Sequence, residues 1–174
     1  MPLDRRRFLA WGAGLALARP ALAQPQERRL LLHNLHTEET LDVVYWVQGR
    51  YIDSALADLN HLLRDHRSGE VGPMAPALFD LLHDLARSLE ARGPIEIVSA
   101  YRAPATNEWL AQNTSGVARA SLHTRGMAAD IRLPERSLAE LHQAALALGA
   151  GGVGLYEASG FVHVDIGRVR HWVG

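Results

Sequence analysis

The chain contains no cysteine. Disulfides and thiolate metal sites are therefore excluded, and any bound metal must be held by His, Asp or Glu. It also lacks a charge imbalance, since 18 Lys and Arg stand against 19 Asp and Glu for a formal net charge of -1. No electrostatic footprint for nucleic acid or for an anionic membrane surface results. Beyond the N-terminus no segment approaches the ~20 apolar residues of a membrane span, and no internal repeat is present. What remains is a chain of 174 residues, 48% apolar, which suits one compact domain with its own core and is too short for two ordinary ones. Nine histidines supply ample candidate metal ligands.

At the N-terminus, Arg5, Arg6 and Arg7 precede an apolar run from Phe8 to Leu17 and the small-residue pattern Ala21-Leu22-Ala23. This order reads as a signal peptide over residues 1–23. Asp4-Arg5-Arg6-Arg7-Phe8-Leu9 resembles the twin-arginine signal, by which bacteria export folded proteins across the inner membrane. An ordinary secretory signal with a basic start is the alternative, and both lead out of the cytoplasm, so the expected location is the periplasm. Cleavage after Ala23 would leave residues 24–174 as a single domain with no stable membrane insertion, whereas an uncleaved signal would act as an anchor. A cysteine-free chain needs no oxidative folding, which suits export in the folded state.

Along the remaining chain, Arg29–Leu35 and Glu39–Val47 carry β-favouring residues around a polar stretch and read as a hairpin. From Ile52 to Asp65 the positions Ala55, Leu56, Leu59, Leu62 and Leu63 follow helical spacing, with Asp53 or Ser54 as the expected cap. Gly69, Gly72 and Pro73 mark a loop. A second helix is predicted over Ala75–Ala91 from the stripe Leu78, Leu81, Leu82, Leu85 and Leu89, stopped by Gly93-Pro94. Ile95–Ser99 reads as a buried strand, Ala105–Gln112 as a helix, Asn113–Gly116 as a turn, and Ala128–Leu133 as a strand. Ser137–Leu148 is a helix with Glu140 at capping-box spacing from Ser137. Gly149–Gly154 reads as a glycine-rich link and Phe161–Ile166 as a strand. Without regular strand–helix alternation the predicted class is α+β, a small antiparallel sheet flanked by helices.

Chemistry concentrates in Ser121-Leu122-His123-Thr124-Arg125-Gly126-Met127-Ala128-Ala129-Asp130 and, further along, in Phe161-Val162-His163-Val164-Asp165. A catalytic zinc generally keeps three protein ligands and one open position, and His123, Asp130 and His163 would supply the three. Gly126 permits a tight bend between the first two. The pattern Ser-x-His-x-x-Gly-x-Ala-x-Asp, complete from Ser121 through Asp130, resembles the hallmark of the D-Ala-D-Ala metallopeptidase and hedgehog-type zinc superfamily. Ser99-Ala100-Tyr101-Arg102 is similar to its Ser-x-x-Arg element and Phe161–Asp165 to its final His-x-Asp segment. Within that superfamily the stretch from Ser99 to Trp172, including Gly151-Gly152-Val153-Gly154 and Gly167-Arg168-Val169-Arg170, most resembles the YcbK-like murein endopeptidases.

The resemblance implies a Zn2+ site of His123, Asp130 and His163, with zinc activating water and polarising the scissile carbonyl. It implies that Arg102 stabilises the negative charge developing on that carbonyl, and that the substrate is an amide bond in peptidoglycan cross-links, including those with diaminopimelate. Ser121 is expected to brace the ligand loop rather than to act as a nucleophile. The better-known members carry a Glu three residues before the last ligand or a His two before it; here those positions are Gly160 and Phe161. Asp165, two residues beyond His163, is the local substitute for the general base, or else orients a ligand histidine. His171 is a more remote candidate for proton transfer. His33, His36, His61, His66, His83 and His142 are expected at surface or packing positions, and Trp46, Trp109 and Trp172 as packing residues. The alternatives in function are a D-alanyl carboxypeptidase, which Arg102 would serve equally, and a non-catalytic zinc-bearing module that binds cell-wall peptide, which the missing Glu favours.

Overall fold

A computed structural model describes residues 26–114 and 118–174. The expected signal segment 1–23 lies outside the described residues, as does Gly116 of the expected turn. The first hairpin forms as the sequence predicts, β1 (Glu27–Asn34) running antiparallel to β2 (Thr40–Val47), with Leu30 opposite Val43 and Leu32 opposite Leu41. A two-residue strand, β3 (Arg50–Tyr51), extends β2 at the sheet edge. Helix α1 (Asp53–Leu62) buries Ala55, Leu59 and Leu62, as the spacing requires. Its N-cap is Ile52, with no side-chain cap, so neither Asp53 nor Ser54 takes the expected place; Asp53 instead sits in the first turn, where its charge complements the helix dipole.

Helix α2 (Pro76–Ser88) turns its leucine stripe inward, burying Leu78, Leu81, Leu82 and Leu85. After β4 (Ile95–Ser99) comes α3 (Pro104–Asn113), then β5 (Ala128–Arg132) and α4 (Leu138–Leu148). Helix α4 begins with the predicted capping box, the Ser137 hydroxyl accepting from the Glu140 N–H and Glu140 accepting in return from the Ser137 N–H. The glycine run that follows is not wholly a link. Gly149 closes α4 in the left-handed region, but Gly152 opens β6 (Gly152–Tyr156). The chain then forms β7 (Phe161–Asp165) and β8 (Arg170–Val173), a strand that the sequence pattern did not announce.

Among the described residues, eight strands join one sheet in the order β3-β2-β1-β4-β5-β7-β6-β8. The fold is α+β, and through β4, β5, β7 and β6 each strand is antiparallel to its neighbour, as expected. The sheet is larger than anticipated and mixed, because β1 pairs in parallel with β4 and β6 with β8. The second parallel pair has a simple origin: the chain reverses from β6 into β7, reverses again, and returns to the free edge of β6 running as β6 does.

Helix α1 lies against β2, α2 against β1 and α4, and α4 against β6 and β7. Toward these helices the sheet turns Leu30, Leu32, Ile95, Ile97, Ala129, Ile131, Val153, Val162 and Val164, all buried in one core with Leu59, Leu78, Leu82, Leu85 and Leu141. Side chains alternate across a strand, so Asp130 on β5, His163 and Asp165 on β7, and Gly152 and Gly154 on β6 occupy the opposite face. Among the described residues no helix is long and apolar enough to cross a membrane.

Candidate metal centre

The sheet register assembles most of the site. Ser99 pairs with Asp130, Asp130 with His163, His163 with Gly154, and Gly154 with Trp172, one row across five strands. Neighbouring strands lie ~4.8 Å apart, so the side chains of Asp130 and His163 meet directly. His123 arrives from outside the sheet on a short 3-10 turn (Leu122–Arg125). Ser121 starts that turn by accepting the His123 N–H on its hydroxyl at 3.3 Å, the bracing role expected of it. Gly126 ends the turn with φ 63°, and a Cβ there would collide with the backbone at Pro73. Glycine is thus required both for the backbone conformation and for the close approach.

Three ligand atoms converge. His123 Nε2 lies 3.2 Å from His163 Nδ1 and 3.3 Å from Asp130 Oδ1, and His163 Nδ1 lies 2.8 Å from the same oxygen. A four-coordinate zinc with bonds of ~2.0–2.1 Å separates its ligand atoms by about 3.3 Å, close to this triangle. The outer ring nitrogens fix the tautomers. His123 Nδ1 is 2.7 Å from the Ala100 carbonyl oxygen, which can only accept, so Nδ1 carries the hydrogen and Nε2 turns a lone pair inward. His163 Nε2, 3.2 Å from Asp165 Oδ2, donates outward in the same way and leaves its Nδ1 lone pair inward. Two lone pairs and a carboxylate oxygen facing one point repel one another unless positive charge, a proton or a metal ion, lies among them, and ligand histidines anchored by a carbonyl or carboxylate are the usual arrangement at metal sites. The residues present therefore fit a divalent metal, and all three are buried.

The electrostatics agree. Burial opposes ionisation of Asp130, yet His123 and His163 beside it hold its carboxyl well below the usual range. Burial also works against a charged His163, but hydrogen bonds to Asp130 and Asp165 outweigh it and raise its pKa, so the point the three atoms face favours positive charge. Arg102 follows β4 and is nearly covered, with 11% of its side chain exposed. Its Nη2 stands 4.0 Å from Asp130 Oδ2 and donates to the Ser99 hydroxyl at a long 3.4 Å, Nη1 donates to Asn107 Oδ1 at 3.2 Å, and Nε has no partner among the described residues. Burial lowers its pKa from the ordinary arginine value. A guanidinium held this loosely retains donor capacity for an incoming oxygen.

The trio and Arg102 line a cleft of about 330 Å3, whose other walls include Tyr156, Phe161, Arg170 and Trp172. Asp165 is fully buried and its oxygens are already engaged. The N–H groups of Gly152 and Gly167 donate to Oδ1 at 2.9 and 2.8 Å, and Arg170 donates to both oxygens at 3.1 and 2.7 Å. Burial opposes its ionisation, but the hydrogen bond from His163, with these donors beside it, outweighs burial and keeps its carboxyl well below the usual range. Gly160 and Phe161 provide a left-handed turn and a ring stacked on Tyr156 at 4.7 Å, not an acid or base. His171 is exposed, on the opposite face of β8 from Arg170 and Trp172. Among the described residues the remaining histidines join no metal-binding cluster; His36 and His66 stack on each other at 3.7 Å.

The motifs of the sequence do not mark Tyr156, Phe161 or Arg170 as site residues, and Trp172 reads there as a packing residue. Trp172 does pack, its ring 5.2 Å from that of His163, and its Nε1–H also donates to the Tyr156 hydroxyl at 3.0 Å. One signal was available. Gly152-x-Gly154 and Arg170-x-Trp172 are small and large residues at strand alternation, and in the structure they pair as small against large.

Comparison with known proteins agrees with this geometry. The family model described as peptidoglycan L,D-endopeptidase MepK matches residues 22–172. The chain is 41% identical over 177 aligned positions to the peptidoglycan L,D-endopeptidase MepK of Escherichia coli K12, covering 97% of each chain. The corresponding protein of Shigella flexneri matches equally. The probable peptidoglycan L,D-endopeptidase MepK of Haemophilus influenzae is 33% identical over 180 positions, covering 98% of this chain and 96% of the relative. No solved structure matches. A match over nearly the whole length, with the ligand triangle in place, shows that the chain belongs to the MepK family of peptidoglycan endopeptidases.

Proposed function

We propose that the protein is a zinc-dependent endopeptidase that hydrolyses amide bonds in the peptide cross-links of peptidoglycan, with the L,D class of bond named for its relatives as its target. The observation that carries this reading is the convergence of His123 Nε2, His163 Nδ1 and Asp130 Oδ1 beside the buried Arg102 in an open cleft. His123, Asp130 and His163 would hold the metal, which supplies Lewis-acid chemistry, activating water and polarising a carbonyl. The rest falls to the protein. The Ala100 carbonyl and Asp165 hold the two imidazoles in the tautomer that turns a lone pair toward the metal position. Arg102 donates to the scissile carbonyl oxygen as its charge grows, and its burial strengthens that interaction relative to water. The Tyr156 hydroxyl accepts from Trp172 and so keeps its own hydrogen for an acceptor on the substrate.

Of the two roles open to Asp165, orientation of His163 is the better supported, because a fully buried carboxylate with five donors around it has no free face for a water proton. A second reading, a zinc-bearing module without activity, draws on one observation: among the described cleft residues no carboxylate other than Asp130 is present. Export to the periplasm through a twin-arginine signal at residues 1–23 completes the proposal.

The test is incubation of the purified chain with cross-linked muropeptides and mass analysis of the products. Cleavage that a chelator abolishes and zinc restores is the expected result, release of free D-alanine alone would point to a carboxypeptidase, and intact muropeptides with zinc bound would establish the binding module.

A further inference from the structure

Arg170 lies in no part of the metal triangle, yet everything around it converges on one ligand. Its two terminal nitrogens grip both oxygens of Asp165 in a fork, a geometry only arginine presents. Asp165 Oδ2, held by Nη2 at 2.7 Å, is the oxygen that faces His163 Nε2 at 3.2 Å. A fully buried carboxylate without a compensating cation is strongly unfavourable, and Arg170 contacts it with a charge that does not depend on pH. The guanidinium is itself fixed on its other side, with the Trp172 ring 5.0 Å away and the Arg168 carbonyl oxygen accepting from Nη1 at 3.0 Å.

The fold makes room for this contact by omission. Gly152 on β6 pairs with Arg170 on β8, and a Cβ at residue 152 would collide with both Arg170 Nη1 and Asp165 Oδ2. Gly154, next on the same face, is bare for the same reason beneath Trp172. The two glycines of β6 thus form a groove into which β8 lowers a guanidinium and an indole behind His163.

Resting on the reading of this cleft as a zinc site, we infer that Arg170 is a positioning residue that sets the metal affinity of the centre through Asp165 and His163. It is not one of the three converging ligands and acts on them through Asp165. By clamping both carboxylate oxygens it leaves one orientation in which Oδ2 can receive the His163 Nε2–H, and so fixes the direction of the His163 Nδ1 lone pair. Changes in the groups that anchor a ligand histidine typically weaken metal binding by about 10- to 100-fold.

The experiment measures zinc affinity by competition with a chromophoric chelator, and the visible spectrum of the cobalt-substituted protein, for wild type, Arg170→Gln, Arg170→Lys and Gly152→Ala. Thermal unfolding of the metal-free proteins runs alongside. Arg170→Gln is expected to weaken zinc binding by about 10- to 100-fold and to shift the cobalt bands. Arg170→Lys, which keeps the charge and loses the fork, falls between, and Gly152→Ala, which displaces the pair without removing it, weakens binding as well. Asp165→Asn combined with Arg170→Gln is expected to bind zinc no more weakly than Asp165→Asn alone, since both changes interrupt one chain of contacts. Zinc affinity and cobalt spectra of Arg170→Lys and Gly152→Ala equal to wild type would overturn the inference, as would additive losses in the double variant. If Arg170→Gln does not fold, those two variants decide the question. Failure of the wild type to bind zinc at all would instead remove the function proposed above, so the two failures are distinguishable.

Discussion

Strand β5 turns Ala129 and Ile131 toward the helices and Asp130 toward the cleft, and β7 does the same with Val162 and Val164 on one side and His163 and Asp165 on the other. Both faces are buried, but they resist water for opposite reasons. On the helix side the favourable change is removal of apolar area from water, about 25 cal/mol per Å2, and the side chains there are interchangeable within limits of volume. On the cleft side, burial of His123, Asp130, His163 and Asp165 is unfavourable in itself and is offset by the hydrogen bonds and ion pairs these groups make with one another and with Ala100, Gly152, Gly167 and Arg170. The helix face supplies stability and the cleft face consumes it, and a common backbone lets the rigid core hold the ligands in register.

That contrast can be broken by substitutions on either side. The largest effect belongs to His123→Ala, which is expected to abolish muropeptide cleavage and to lower zinc affinity by several orders of magnitude while the chain still unfolds cooperatively; calorimetry and chelator competition check both halves. Ile131→Ala acts from the other face. It is expected to cost about 2–5 kcal/mol of stability through transfer and cavity terms, measured by urea unfolding, with zinc affinity of the folded protein within about threefold of wild type. Arg102→Ala should leave metal content unchanged and reduce kcat/KM by about 100-fold, equivalent to ~2.7 kcal/mol of transition-state stabilisation. A loss confined to KM would show that Arg102 binds the ground state and the transition state alike.

The smallest effect sharpens the comparison in a region that belongs to neither face. Burial, with Arg67, His36 and Arg102 adding to it and Asp65 opposing, pushes His66 down to about 4, against an ordinary value of ~6.5. With the folded value depressed, the unfolded chain binds the extra proton first, so the contribution is fully present above pH ~6.5 and is lost progressively as pH falls toward about 4. With solvent screening the loss is about 1 kcal/mol. Wild type should therefore lose more stability than His66→Gln between pH 7 and pH 5, and equal losses would remove His66 from the account.

The ligand loop was legible because its information is local. Ser121, His123, Gly126 and Asp130 lie within ten consecutive positions, and each meets a requirement that sequence exposes: a cap, a ligand, a left-handed turn, a strand residue facing the cleft. The leucine stripe of α2 and the Ser137–Glu140 capping box were readable on the same grounds. Helix α3 forms where Ala105–Gln112 reads as helical, but its N-terminal anchor shows the opposite case. Its N-cap, Ala103, has no capping side chain of its own; the Ala103 N–H donates instead to Asp65 Oδ2 at 2.9 Å, from a loop far back in the chain. Nothing local to Pro104 announces that partner.

By itself, then, the sequence determined the α+β class, the main helices, the hairpin and the three residues proposed here as metal ligands, since periodicity, capping and a contiguous motif act over a few residues. The tertiary structure alone decided what stands behind the ligands. That Gly152-x-Gly154 is a strand rather than a link, that β8 returns in parallel beside it, and that Arg170 and Trp172 thereby reach Asp165 and His163 all depend on strand register. Register is set by pairing between segments distant in sequence, and its energy is shared across the whole sheet rather than written in any one of them.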